Sequence, residues 1–594
     1  MQLSRRRFVA QAIAGSAGAY ALADPLLSRA LAAVPVASDV AFGSGVSSGQ
    51  VTQRGITLWT QLDGLGAPSR LGVEVARDPG FANVILRTEA LADPAAAGTA
   101  RVRVRSPRLQ PGERYWYRFT SAQGSSPAGR FRTTLPPGSS EPVRIAFIAC
   151  QDFLSGWYTA HRDLAAQDVD LVVSLGDYIY EQAFFTGGVR EVPQTPDQTV
   201  RTLDEYRAQY RTYHTDEYLR SVRAMAPMLV IWDDHEVQDN YAGTHPGHEW
   251  TELNGIPQRT DIPFLQRRAN AYQAFFETHP IIRDRVEPDR TYASSRSGMV
   301  ELFRLDLRQY KTDQVCNPDD GPFAFCERQD QTTDPAGTIL GETQRSWLLN
   351  GLKRSTAPWK LIANQVMMMA NDILPGWTMD TEGWDGYAND RRLLCDWITQ
   401  NKIKDVAVIT GDIHMFYAGH VTRTGREPWV PFAGLQGGPA AMTEFAVGAI
   451  TSQGISDRVS AVLVDLGYQL EKVFNPYATR PSDEALRNGI AEVVDGFLKA
   501  MNPHWDYANS SYKGYGLVEA RADALKVRFR ATHDVKDPNS APFTLASFTV
   551  PRGSAEVHRD AVASQRRLQL PIDRNVPITR DQARQYILDY AAHH

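Results

Sequence analysis

Five apolar, β-rich runs each close on a residue able to bind a metal or move a proton, and this limits the folds open to the chain more than any other feature. VRIAFIAC ends at Cys150, DLVVSLGD at Asp177, and PMLVIWDDH at Asp233, Asp234 and His235. WKLIANQV carries Asn364 and Gln365, and DVAVITGDIH reaches Asp412 and His414. Long helical or loop segments separate the runs, which is the pattern of an α/β layered domain. In open α/β sheets active sites form beyond the carboxyl ends of the strands, so residues scattered from position 150 to 414 are expected to meet in space.

The preceding segment reads differently. Between about residues 39 and 135, the runs GITLWTQL, SRLGVEVAR, ARVRVRS, YWYRFT and GRFRTT are short and alternate, with Gly, Pro and Asp between them. They predict an all-β sandwich of immunoglobulin or fibronectin type, with Trp59 and Tyr115-Trp116-Tyr117 anchoring its core. The turn LPPGSSEP is a linker, and a catalytic unit is expected over residues 142–552. Within it FLQRRANAYQAFFETHP, TQRSWLLNGLK and AEVVDGFLKAM read as amphipathic surface helices. ALKVRFRATHD and FTLASFTVP read as a late strand pair. His161 and His214 are placed on helix surfaces or caps, and residues 553–594 form a polar C-terminal extension without assigned function.

Residues 1–32 stand apart. Ser4-Arg5-Arg6-Arg7-Phe8-Val9 precedes an Ala- and Gly-rich apolar stretch interrupted by Asp24, Pro25 and Arg29, the layout of a twin-arginine export signal rather than a membrane span. The expected partner is the twin-arginine export machinery, and the destination periplasmic or secreted. Of four cysteines, Cys316 and Cys326 bracket a short loop that an oxidising compartment could close as a disulfide, whereas Cys395 lies at helical spacing as a small hydrophobe. A net charge of -5 gives no basic face for nucleic acid, so a small ester is the expected partner.

The chemistry of the run ends points to cations. A carboxylate such as Asp177 can bridge two ions through its two oxygens, and Tyr180, three residues on, offers a phenolate, a hard donor favoured by ferric iron. Asp234 supplies a carboxylate to a second ion, with His235 beside it. Asp412 and His414 add an oxygen and a nitrogen at i and i+2, on one face of an extended strand end. Each pattern alone is weak; their joint occurrence after β-rich runs favours a metal centre.

The order Cys150, GDYIYE, WDDHEVQDN, NQVM, TGDIH resembles the PhoD-type alkaline phosphatases and phosphodiesterases, relatives of the purple acid phosphatases. AFGSGVSSGQ, PGERYWYRF, LDLRQYKTDQ, GWDGY and NPHWDY extend the likeness over nearly all of the mature chain. The resemblance implies a metallophosphoesterase-like layered β-sandwich flanked by helices, and a ferric ion held by Cys150, Asp177, Tyr180 and His414. It implies a bridge from Asp177 to a calcium-type site containing Asp234 and Asp412, completed by Asn364 or Gln365 and by Asn240. Cys150 replaces the family superset's usual first carboxylate, and Asp412 stands where relatives carry His, so Fe3+ with Ca2+ is expected.

The expected activity is hydrolysis of small phosphate mono- or diesters by a metal-activated hydroxide, in a monomer. His235 is the candidate general acid, and Arg308 and His504 are candidate substrate contacts at the cleft. A phosphodiesterase or phospholipase D-like specificity uses the same metals. A non-enzymatic surface binding protein, suggested by the N-terminal sandwich alone, needs no iron.

Overall fold

In the computed structural model the chain is described over residues 34–183, 188–192, 199–247, 252–253, 256–257, 261–314, 326–327, 334–374, 377–378, 381–423, 440–454, 457 and 483–562. The expected export signal, the expected Cys316–Cys326 pairing and the tail beyond residue 562 lie outside these residues or their described side chains. None of the described helices is long and apolar enough to cross a membrane.

The N-terminal unit is all β. Its strands are β1 (Val46–Thr52), β2 (Gly55–Gln61), β3 (Ser69–Ala76), β4 (Val84–Asp93), β5 (Thr99–Arg105), β6 (Arg114–Thr120) and β7 (Gly129–Arg132). They join antiparallel in the order β1-β2-β5-β4-β3-β6-β7. Strand β4 meets β5 only at Ala92↔Ala100 and Asp93↔Thr99, so the sheet divides into two blades that enclose Leu58, Val73, Val102, Tyr117 and Phe131. Alternation along β3 and β6 turns Val73 and Tyr117 inward. Tyr115 and Tyr117 belong to this core, as the aromatic pattern predicts, while Trp116 alternates outward. Trp59 differs from expectation. It is fully buried, but between the two units: its Nε1 donates to the Glu277 carbonyl at 2.8 Å and the Arg223 guanidinium lies 4.4 Å from its ring centroid.

The second unit contains two more seven-stranded sheets. Their strands are β8 (Val143–Ile148), β9 (Leu171–Ser174), β10 (Met228–Val230), β11 (Ala293–Ser297), β12 (Val300–Arg304), β13 (Trp359–Asn364) and β14 (Val406–Thr410). They continue with β15 (Phe416–Thr422), β16 (Ala440–Ala446), β17 (Trp505–Asn509), β18 (Lys513–Ala520), β19 (Ala524–Thr532), β20 (Pro542–Pro551) and β21 (His558–Arg559). One sheet has the order β10-β9-β8-β18-β19-β20-β21, the other β11-β12-β13-β14-β16-β15-β17. In the first, β8, β9 and β10 are parallel; in the second, β12, β13, β14 and β16 are. The late strand pair is present as β19 and β20, and β21 carries the sheet past residue 552.

Alternation decides what each face covers. Leu361 and Ala363 of β13 turn to a core shared with Phe147, Phe529 and Phe548 of the facing sheet, whereas Ile362 turns outward to Leu348, Leu352 and Leu394. Each such aromatic removes enough apolar surface to contribute about 1.5–3 kcal/mol. Helices α1 (Thr159–Ala165), α2 (Leu203–Tyr213), α3 (Glu217–Met225) and α4 (Phe264–Thr278) cover the first sheet; α5 (Gly341–Arg354), α6 (Ala388–Gln400) and α7 (Asp483–Met501) cover the second. Helix α2 begins with a capping box in which Thr202 and Glu205 exchange hydrogen bonds. Cys395 is a buried free thiol on α6, as its spacing predicts. His214 caps the C-terminus of α2, as expected, but it is buried, with its Nε2 3.0 Å from the Tyr178 hydroxyl; His161 departs from the helix-surface expectation, buried with its Nε2 2.8 Å from Gln151 Oε1.

Candidate metal centre

The parallel strands β8, β9, β10, β13 and β14 all deliver their carboxyl ends to one region, and the residues just beyond them turn sharply. Cys150, Asp177, Asn240, Asp412 and His414 all have φ between 52° and 64°, a left-handed conformation rare for non-glycine residues. Such strain persists where surrounding structure over-determines it, and it concentrates at functional sites. Two glycines permit the close approach. A Cβ on Gly176 (φ 118°) would lie 2.3 Å from Asp233 Cβ, and one on Gly411 2.6 Å from Ala149 Cβ.

Three overlapping groups of donors result: Cys150 with Asp177 and His414; Asp177 with Asp234 and His235; and Asp233 with Asp234 and Asp412. Within each group the candidate ligand atoms lie within 4.8 Å of one another, and Asp177 and Asp234 are shared. Tyr180 joins the first group, its hydroxyl donating to Asp177 Oδ2 at 3.0 Å and lying 3.1 Å from His414 Nε2. His414 Nδ1 sits 2.6 Å from the Gln453 carbonyl, which calls for the proton on Nδ1 and leaves the Nε2 lone pair directed at the cluster.

Electrostatics show what the cluster lacks. Burial, then the carboxylates of Asp177, Asp412 and Asp233, push the Cys150 thiol well above its ordinary pKa. Burial, then Asp177 and Cys150, do the same to Tyr180. Asp177 is raised by burial and by Asp234, Asp233 and Glu236, against the opposing charge of His235. Asp177 Oδ1, Asp234 Oδ1, Asp233 Oδ2 and Gln365 Oε1 are buried without a hydrogen-bond partner. Buried carboxylate oxygens in that state, even with Arg308 beside Asp233 and Asp234, call for a further cation. A thiolate, a phenolate, an imidazole and a bridging carboxylate suit a trivalent transition ion, and the neighbouring all-oxygen set suits a hard divalent one, so the residues fit the Fe3+ and Ca2+ expectation chemically.

The other predicted site residues occupy varied positions. The Asn364 amide is spent on scaffold, donating to Thr410 Oγ1 at 3.0 Å and accepting from Trp384 Nε1 at 3.0 Å. Gln365 donates to the Trp232 and Leu305 carbonyls, each at 3.0 Å, and keeps Oε1 uncommitted. The Asn240 N–H donates to Asp234 Oδ2 at 2.8 Å, and its amide nitrogen faces the Glu382 carboxylate. Arg308, fully buried, is ion-paired to Asp233 and to Glu382 (2.6 Å) and lies 3.6 Å from Asp234, so it backs the carboxylate cluster. Its charge, with that of His235, outweighs burial and holds Asp234 below the ordinary carboxylate range. His504 packs elsewhere, its Nε2 2.9 Å from the Ala370 carbonyl.

His235 stacks on Tyr180, ring centroids 4.2 Å apart, and its Nδ1 lies 2.8 Å from Glu181 Oε2. Burial opposes its protonation, yet Asp234, Asp177 and Glu181 raise its pKa well above the ordinary value. Glu181 and Glu236 went unassigned in the sequence although both sit inside the motifs. Glu236 staples two strand-end loops by accepting from the N–H groups of Asp177 (3.1 Å), Tyr178 (2.6 Å) and Asp233 (2.7 Å). Ser452, whose Oγ lies 2.8 Å from both the Tyr180 hydroxyl and the Cys150 carbonyl, carries no local sequence signal.

Residues 145–529 match the family model described as PhoD-like phosphatase, and residues 28–135 match that of the PhoD-like phosphatase N-terminal domain. The chain belongs to the PhoD-like phosphatase family. Alkaline phosphatase D of Bacillus subtilis (strain 168) is 31% identical over 570 residues, covering 92% of this chain and 87% of that protein. A solved structure titled "Structure of PhoD" superposes with a TM-score of 0.71 at 27% identity, covering 93% of this chain and 97% of that one. Purple acid phosphatase 23 of Arabidopsis thaliana is 28% identical over 142 residues, 23% of this chain and 30% of the relative. This PhoD-like chain is therefore a phosphoester hydrolase, and the non-enzymatic surface-protein reading is set aside.

Proposed function

We propose that the chain is an alkaline phosphatase D-like enzyme that hydrolyses phosphate esters at a Fe3+/Ca2+ centre. The observation that carries this reading is the convergence of Cys150, Asp177, Tyr180 and His414 beside Asp234 and Asp412, with buried oxygens of Asp177, Asp233 and Asp234 left without hydrogen-bond partners. Cys150, Asp177, Tyr180 and His414 would hold the ferric ion; Asp177, Asp234 and Asp412, with Gln365 Oε1 and Asn240, would hold calcium. The cations, when bound, neutralise phosphoryl oxygens and lower the pKa of water.

The chain's own groups supply the rest. Glu181 accepts from His235 Nδ1 and fixes the ring, so the imidazolium can hold a proton at Nε2 for a leaving alkoxide. Arg308 holds Asp233 and Asp234 in place through their carboxylates rather than touching substrate. The strand order and the Tyr115 hydroxyl, which accepts from the Gln110 N–H at 2.8 Å in the manner of a tyrosine corner, support a fibronectin-like sandwich at the N-terminus. The Ser4–Val9 segment supports export by the twin-arginine route.

The test compares hydrolysis of a nitrophenyl phosphate monoester with that of bis-nitrophenyl phosphate, before and after calcium chelation, alongside elemental analysis. A monoester preference abolished by chelation, with iron retained, is expected. A diester preference would move the assignment to phosphodiesterase or phospholipase D-like activity, and turnover of neither ester would remove the proposed specificity altogether.

A further inference from the structure

Outside the metal centre, the sandwich of the second unit opens where the edge strands β10 and β11 part, beneath β1 and β5 of the N-terminal unit. The opening is a cavity of about 660 Å³ lined by eight arginines and two aspartates. No residue of the metal cluster lines it. Three of the arginines already have carboxylate partners: Arg132 with Asp170, Arg283 with Asp289, and Arg290 with Glu287. Arg103, Arg105 and Arg304 have none within ion-pair distance among the described residues.

Alternation explains why these three face the cavity. Val102 and Val104 turn into the N-terminal core, which sends Arg103 and Arg105 out the other side of β5. On β12, Val300 and Leu302 share the sandwich interior, and Arg304 continues that face at its open end. Arg304 Nε is buried without a hydrogen-bond partner. Burial draws its pKa down to about 10, with only Asp306 opposing; burial and then the neighbouring Arg105 draw Arg103 to about 10. Arg103, whose Nη1 also donates to the Gln50 carbonyl and to Thr57 Oγ1, and Arg304 are the desolvated pair, while Arg105 stays exposed beside Arg103. Desolvated cations in a concave site are stabilised by an anion, and guanidinium forks match phosphate oxygens.

We infer that this cavity between the two units is a second anion site that takes a ligand bearing several phosphate groups. One phosphate carries up to about two charges near neutral pH and cannot satisfy three guanidinia on two walls. Arg103 and Arg105 alone are separated by about 7 Å along their strand. A polymer or condensed phosphate matches that spread, and it is held apart from the chemistry, since no residue of the metal cluster lines the cavity.

The experiment titrates the metal-loaded enzyme with inositol hexasulfate, a multivalent anion that is not a phosphate ester, and separately with inorganic phosphate, by calorimetry. Arg103→Gln, Arg105→Gln and Arg304→Gln are each expected to weaken hexasulfate binding by about tenfold, the worth of one charge-assisted contact, while kcat/KM for nitrophenyl phosphate stays within about twofold. Loss of hexasulfate binding with phosphate binding unchanged identifies a polyanion. Parallel loss of a second phosphate-binding event identifies free phosphate as a sufficient occupant of the site. Arg105→Gln, on an exposed strand position, keeps the test decisive if Arg304→Gln fails to fold. Hexasulfate binding that is absent from the parent enzyme, or unaltered by these substitutions, overturns the inference.

Discussion

His235 illustrates how one side chain acquires a role from its surroundings. Its neighbour Asp234 was legible as a ligand in the DDH cluster, but Glu181, the group that orients the imidazole, comes from a different strand end. Asp234, Asp177 and Glu181 raise the imidazole pKa well above its ordinary value despite burial. His235→Ala is expected to slow a poorly activated alkyl phosphate by about 10²–10⁴ and a nitrophenyl ester far less, with both metals retained on elemental analysis. Equal losses on the two esters would remove the acid role. Asn364 shows the reverse case: its place in the NQV motif marks it as a ligand candidate, yet its amide is engaged by Trp384 and Thr410, contacts that nothing in the local sequence announces.

At the scale of elements, the region beyond β13 and β14 is tied down by a buried carboxylate on β16. Glu444 accepts from Thr410 Oγ1 at 2.6 Å, from the Met368 N–H at 2.9 Å and from the Met369 N–H, linking two strand ends next to the cluster. Burial raises its pKa from 4.5 to about 7, against those hydrogen bonds. A folded pKa above the unfolded one means that the native state binds the proton more tightly. The resulting stabilisation is complete below about pH 4.5 and is lost as pH rises through about 7. Glu444→Gln cannot titrate, so its stability relative to the parent should improve by about 3 kcal/mol between pH 4.5 and 8, read from urea unfolding at several pH values. A parent-minus-variant difference that does not change with pH would refute this linkage. The same elements explain the register of the site: glycines at 176 and 411 let strand-end loops approach to distances that a Cβ would block.

At the scale of the whole molecule, the two units are joined through polar contacts around buried aromatics rather than by a flexible linker alone. Trp59 is the centre of that junction, with Glu277, Arg223 and His214 around it. Trp59→Ala is expected to cost about 3–5 kcal/mol and to separate unfolding of the N-terminal unit from that of the rest, seen as two calorimetric transitions where the parent has one. A single transition at unchanged temperature would contradict its place in the junction. The overall charge of -5 gave no hint of the arginine-lined cavity beside this junction, because a net count carries no information on where charges gather.

The order of apolar runs and the identity of the residues closing them determined, without coordinates, that this chain would form a layered α/β unit behind a β-rich one, and which side chains were candidates for a metal centre. Those properties are local: periodicity of two, turn residues, and donors at strand ends. Tertiary structure alone decided that Trp59 serves the junction, that His161 and His214 are buried, that Asn364 and Arg308 are committed to scaffold and carboxylates, and that Ser452 reaches Tyr180 across more than half of the second unit's sequence. These outcomes depend on contacts between residues tens to hundreds of positions apart, where packing and unpaired hydrogen-bonding groups, rather than spacing along the chain, select the partner.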